Sequence, residues 1–143
     1  YLNCVKWEQI DGRLTHSYHI KYAESNNGID WKRNGKVAIE FKYKNEYAIS
    51  TPRVLKKQDD TFMMWFSYRG GDRAETYRIG FAESQDGIDW ERKDEEVRLD
   101  VSDEGWDSDM ICYPDVMEYK GELFMFCNGN GYGQSGIGLA KLN

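Results

Sequence analysis

Tyr77-Arg78-Ile79-Gly80-Phe81-Ala82-Glu83-Ser84-Gln85-Asp86-Gly87-Ile88-Asp89-Trp90 decides how the chain is read, because it occurs twice. Fifty-nine residues earlier stands Tyr18-His19-Ile20-Lys21-Tyr22-Ala23-Glu24-Ser25-Asn26-Asn27-Gly28-Ile29-Asp30-Trp31. Nine of the fourteen positions are identical: the Tyr, the first Ile, Ala-Glu-Ser and the closing Gly-Ile-Asp-Trp. A shorter third copy, Gly136-Ile137-Gly138-Leu139-Ala140, lies near the end of the chain. The sequence outside the motif repeats too. Thr51-Pro52-Arg53-Val54 is echoed by Tyr113-Pro114-Asp115-Val116, 62 residues on. Phe62-Met63-Met64-Trp65-Phe66 is echoed by Leu123-Phe124-Met125-Phe126-Cys127, 61 residues on, and residues 1–7 fit the same slot in an earlier copy.

A period of about 60 residues with several strands per unit is a propeller or array signature. Tyr77, Ile79 and Phe81 alternate with Arg78, Gly80 and Ala82, which is the period of a strand. The complete unit reads as four strands at 53–57, 62–68, 76–84 and 90–97. Asn27-Gly28 and Asp86-Gly87 supply turns that tolerate positive φ, and Pro at the first residue of a strand removes no needed ladder bond. No helical stretch is convincing. The expected fold is all-β: a partial β-propeller of four-stranded antiparallel blades, with between two and three blades present. It forms a single domain divided into part of a first blade (1–45), a whole second blade (46–106) and part of a third (107–143). Fewer than three blades cannot close a ring. Self-association or the remaining blades of a longer chain would complete it.

Composition narrows the function. Among 143 residues there are ten Tyr, five Trp and fourteen Gly but two Pro, a mix that suits strands and tight turns. The net charge is −6, from 19 basic and 25 acidic side chains spread along the chain, which argues against a nucleic-acid partner. No apolar run approaches the roughly 20 residues of a membrane span, so no membrane partner is expected. No signal peptide is read at the N-terminus, which starts at Tyr1 without Met; a trimmed or cleaved chain would begin so. Cys4, Cys112 and Cys127 match no zinc spacing and read as buried thiols, with a slight lean towards a reducing, cytoplasmic location. His16 and His19 are too few for a metal site. Gly129, Gly131 and Gly133 lack a following helix, which excludes a dinucleotide fingerprint. No metal and no cofactor is expected.

Topology then locates a site. In a four-stranded meander the segment leading into strand one and the turn between strands two and three share one end. These are residues 46–51 and 107–113, and 7–17, 69–76 and 128–134. The Gly-Ile-Asp-Trp turns fall at the opposite end and read as structural: a turn, a core aliphatic, a turn-capping Asp and a packed Trp. Asp72, Arg73 and Glu75 read as a solvated hairpin tip. The remaining acids, amides, arginines and aromatics surround the channel, a mix that suits a sugar. Gly105-Trp106-Asp107-Ser108-Asp109, just before Cys112-Tyr113-Pro114-Asp115, is the best single candidate.

The motif Tyr-Arg-Ile-Gly-Phe-Ala-Glu-Ser-x-Asp-Gly-Ile-Asp-Trp resembles the blade motif of the five-bladed propeller glycosidases, the arabinanase, invertase, levansucrase and mannoside-phosphorylase relatives. Residues 105–109 through 128–133 resemble an uncharacterised glycosyl hydrolase-like branch of that group. The resemblance implies a carbohydrate ligand and three acids near the Pro of strand one. Thr51 and Tyr113 occupy the positions before Pro52 and Pro114, so Asp109, Asp115 and Glu46 are the nearest catalytic substitutes. Arg53, Arg69, Asp107, Tyr113, Asn128, Asn130 and Tyr132 are the expected sugar contacts. Three functions stay open: a glycosidase-like enzyme, a non-catalytic carbohydrate-binding or assembly module, and an inactive fragment of a larger propeller enzyme.

Overall fold

The computed structural model describes residues 2–10 and 12–142, with the backbone alone for 2–5 and 10. Its strands are β1 (Leu2–Ile10), β2 (Arg13–Ile20), β3 (Glu46–Lys56), β4 (Phe62–Gly70), β5 (Ala74–Ser84), β6 (Glu91–Arg92), β7 (Cys112–Tyr119), β8 (Glu122–Asn128) and β9 (Ile137–Leu142). Strands β3 to β6 form an antiparallel meander in chain order, one whole repeating unit. Strands β7 to β9 form three strands of the next unit. The β1–β2 hairpin belongs to the unit before, continued by isolated bridges between Lys21 and Val37 and between Glu24 and Lys32. One parallel bridge, Tyr18 to Ala48, ties β2 to β3. The fold is all-β, a partial β-propeller.

The central sheet is covered on both faces, which is why β4 is a continuous apolar run rather than an alternating one. Met64, Phe66 and Tyr68 pack on one side with Ile20, Ile39 and Ile49. Trp65 faces the other way and packs with Ile79, Phe81, Ile111, Val116 and Met125. Burying each such side chain contributes about 1.5–3 kcal/mol. Gly80 is small for a reason: a Cβ there would lie 2.4 Å from the Phe66 ring and 2.8 Å from the Asp94 carboxylate.

Several boundaries differ from the sequence reading. The first strand begins at Glu46 and runs through Pro52, because the ladder is offset there and the missing N–H of proline falls in the irregularity. Residues 7–17 are mostly the β1–β2 hairpin rather than a loop, with Gly12 at positive φ in its turn. The fourth strand stops at Arg92. Lys93 still donates its N–H to the Phe81 carbonyl (2.8 Å), but Asp94 then takes the Phe81 N–H on its carboxylate and opens a 3-10 turn, Asp94–Glu96. Asn130–Gly133 is a short helical turn interrupted by left-handed Gly131 and Tyr132.

The repeated turns are built alike, but the capping residue differs from expectation. Asp86 Oδ1 accepts the N–H groups of Ile88 (2.8 Å) and Asp89 (2.9 Å), while Ser84 Oγ accepts that of Gly87. Asn27 Oδ1 and Ser25 Oγ do the same in the first copy. The cap is therefore the residue before Gly, not the Asp of Gly-Ile-Asp-Trp, since only a side chain two residues upstream can close this kind of turn. In both copies the Trp indole donates to the Gly carbonyl. Ile29 and Trp31 are exposed; Ile88 and Trp90 are half-buried.

Candidate functional site

The innermost strands carry a matched pair of backbone irregularities. Thr51 has φ 53° and Tyr113 has φ 56°, both just before a proline and both where the ladder shifts register. A left-handed non-glycine residue costs on the order of 1–3 kcal/mol, and a bulge re-aims the side chain it carries. At Tyr113 the strain is held in place by the buried Ser67 hydroxyl, which accepts the Tyr113 N–H at 2.8 Å.

The bulge turns the Tyr113 ring into a wall of tyrosines. Tyr113 lies 5.9 Å from Tyr77 and stacks at 6.1 Å on Tyr132, whose left-handed backbone brings it back over the sheet. Tyr18 and Tyr77, equivalent residues of the two repeats, join through their hydroxyls. The stack continues from Tyr18 to His16 at 5.3 Å and on to Trp7 at 5.0 Å, an exposed ring at the hairpin. Burial pushes the phenols of Tyr18 and Tyr113 above their usual range, so the wall stays neutral at physiological pH.

Arg69, on β4, sits inside this wall. Its guanidinium carbon lies 4.7 Å from the Tyr77 ring centre and 5.3 Å from that of Tyr47, and Nη1 donates to the Tyr132 hydroxyl at 3.3 Å. Its Nε is buried without an acceptor among the described residues.

The other residues expected from the sequence fall into three groups. Asp109 is exposed. Its N–H is held by Asn130 and its carbonyl by Arg78 (3.0 Å) and Thr76, while its carboxylate has no hydrogen-bond or ion-pair partner among the described residues. Asp115 and Arg53 pair across the innermost strands at 3.1 Å, and Arg53 also donates to the Val116 carbonyl. Asn128 and Asn130 serve the loop itself. Asn128 donates to the Tyr132 carbonyl, and Asn130 accepts from Asp109 and Met110 while donating to Gly105 and Ser108. Trp106 locks the same loop, packing so closely on Gly129 and Gly138 that neither position has room for a Cβ. Asp107 is half-buried near Cys127, whose thiol is pushed up chiefly by burial.

Glu46 stands apart. Its side chain is fully buried and grips Arg92 through two hydrogen bonds, at 2.9 and 3.0 Å, while accepting the N–H groups of Lys42 and Tyr43. Arg92 also pairs with buried Asp94 at 2.9 Å and lies over the rings of Tyr43, Phe66 and Tyr68. This places Glu46 in a closed ionic network rather than beside the tyrosine wall. Sequence reasoning missed Tyr18, Tyr47 and Tyr77 as site residues. Tyr18 and Tyr77 were visible as identical positions of the repeat, but their alternation read as strand packing.

No protein-family model matches the chain. Two uncharacterised proteins of Mycobacterium tuberculosis, Rv1502 from strain H37Rv and MT1551 from strain CDC 1551, are each 39% identical over 142 residues. The match takes in 99% of this chain and 45% of each relative, so the chain spans about half the length of the curated relatives it matches. Among solved structures, one described as "Glycoside hydrolase" superposes with a TM-score of 0.70 at 17% identity, covering 96% of this chain and 39% of that one. The fold is glycoside-hydrolase-like. A second structure, described as an RGII complex of BT0996, matches with the same TM-score, identity and coverage.

Proposed function

We propose that the tyrosine wall binds a carbohydrate, and that the chain is part of a propeller of the five-bladed glycosidase superfamily. The observation that carries this reading is the row of rings from Trp7 to Tyr132 with Arg69 set into it. Pyranose rings offer an apolar face for stacking and hydroxyls for hydrogen bonding, and this wall presents rings, phenols and a guanidinium together. The left-handed backbone at Tyr113 supports it, since strain of this kind gathers where a side chain must be aimed. Asn128 and Asn130 then act by shaping the loop that presents Tyr132, and Glu46 by holding the fold.

Hydrolysis is a second reading, favoured by one observation: the exposed Asp109 carboxylate is free of partners among the described residues. Glycoside cleavage needs two carboxyl groups astride the bond. Asp115 beside Arg53 is the nearest second acid on the innermost strands, while Thr51 and Tyr113 fill the positions before the prolines. We further propose that another blade of the same construction covers the outer face of β7–β9, since the relatives have the length to supply it.

The test uses the full-length protein, a glycan array and turnover of any glycan retained. Tyr132→Ala is expected to weaken binding by about three- to ten-fold, the worth of one aromatic contact. Asp109→Asn is expected to cut turnover about 100-fold or more if that carboxylate moves a proton. Turnover unchanged in both Asp109→Asn and Asp115→Asn would remove the catalytic reading and leave the binding one. Glycan binding indifferent to Tyr132 would remove the site itself.

A further inference from the structure

Two arginines of this protein sit in aromatic boxes, and they differ in one respect. Arg92 lies over Tyr43, Phe66 and Tyr68 and is matched by two carboxylates, Glu46 and Asp94. Arg69 lies over Tyr47 and Tyr77 and, among the described residues, has no carboxylate partner; its one hydrogen bond goes to the Tyr132 hydroxyl. A guanidinium does not lose its proton, and enclosing one without an anion is costly. In a protein with 25 acidic side chains, a half-enclosed cation with none of them is not explained by packing.

We propose that Arg69 receives the carboxylate of an acidic sugar, a uronate, held against the tyrosine wall. The inference rests on the reading of that wall as a carbohydrate site and names the class of sugar it selects. Shape favours a carboxylate. Two ring faces cover the guanidinium, leaving its edge, and a planar two-oxygen group meets that edge in plane. Charge favours a monoanion: the strongest electrostatic neighbours of Arg69 are neutral tyrosines, and among the described residues no second cation stands in the wall to balance a dianion. Tyr132, half-exposed and bonded to Nη1, is the movable cover through which the carboxylate would enter.

Calorimetric titration of the full-length protein with D-galacturonate and D-glucuronate, their methyl esters, the neutral parent sugars and inorganic phosphate tests this. The free acids are expected to bind about ten-fold more tightly than the esters, a preference that weakens with salt, as a charge-assisted contact requires. Arg69→Met should abolish the difference between acid and ester while leaving binding of the neutral sugar. If that variant fails to fold, Tyr132→Phe, which removes only the hydroxyl on Nη1, should change acid affinity and not ester affinity. Equal binding of acid and ester would overturn the carboxylate assignment and leave the sugar site standing. Phosphate competing as well as the uronates would overturn it in favour of a free-anion site. If neither acids, esters nor parent sugars bind, both readings fall.

Discussion

Arg92 is the residue on which the second blade depends most. Its side chain is 9% exposed, and those of its partners Glu46 and Asp94 are 0% and 4% exposed. Removing the arginine would leave two carboxylates buried without a counter-charge, the situation in which a buried ion pair is most damaging to break. Arg92→Met is expected to destabilise the fold by about 3–5 kcal/mol in urea unfolding. Adding Glu46→Gln and Asp94→Asn to it should recover part of the loss, because the uncompensated charges go. A loss below about 1 kcal/mol, the range of exposed pairs, would show that solvent reaches the network. The sequence did not reveal this network. Glu46 and Arg92 are far apart along the chain, and an acid just ahead of a proline-bearing strand reads equally well as catalytic. The cysteines were easier: Cys112 and Cys127 are buried free thiols, and burial, with Cys127 nearby, pushes Cys112 up to about 11. Cys4 lies among the residues of which only the backbone is described.

At the scale of the element, the repeated turn shows which part of a motif is legible. Gly28 and Gly87, at φ 73° and 74°, and the following Ile-Asp-Trp mark the turn unambiguously. They do not say which acid closes it, because both acids of Asp-Gly-Ile-Asp are chemically able to. Geometry decides for Asp86, whose carboxyl is held below its ordinary range first by the Asp89 N–H and then by that of Ile88. Asp86→Ala is expected to lower the melting temperature more than Asp89→Ala, since Asp89 makes only an exposed pair with Lys36. The reverse order would return the cap to the second Asp. The sign of the pH effect follows. A carboxylate with a depressed folded pKa stabilises above its unfolded value of 3.8 and loses that contribution as pH falls through the lower folded value. The difference between wild type and Asp86→Ala should therefore shrink in acid. The strands were legible because alternation and double-sided burial leave strong patterns. The bulges at Thr51 and Tyr113 were not, because a register shift is a property of two strands and a sequence shows one at a time.

At the scale of the molecule, the two sides of the β7–β9 sheet differ. Val116, Met125 and Cys127 face the central blade and are buried. Their neighbours in the strands, Met117, Phe126 and Leu139, are 42%, 41% and 60% exposed, and Tyr119 and Ile137 are exposed beside them. The register makes this one surface, since Met117 pairs with Phe124 and Phe126 with Leu139. An apolar sheet face of this kind marks an interaction surface. The repeat indicates what fits it: β4 carries apolar side chains on both faces because a blade lies on each. The same reasoning makes β8, at the equivalent position, a strand with a second neighbour. Residues 1–143 alone are therefore expected to bind a hydrophobic dye and to associate with rising concentration in sedimentation experiments. Phe126→Lys with Leu139→Glu should suppress both without unfolding the protein, because neither residue supports the buried side. A protein of the length of the curated relatives should show neither behaviour. If residues 1–143 stay monomeric and dye-free at high concentration, no blade is needed on that face, and the propeller reading would have to give way to a shorter, open stack of sheets.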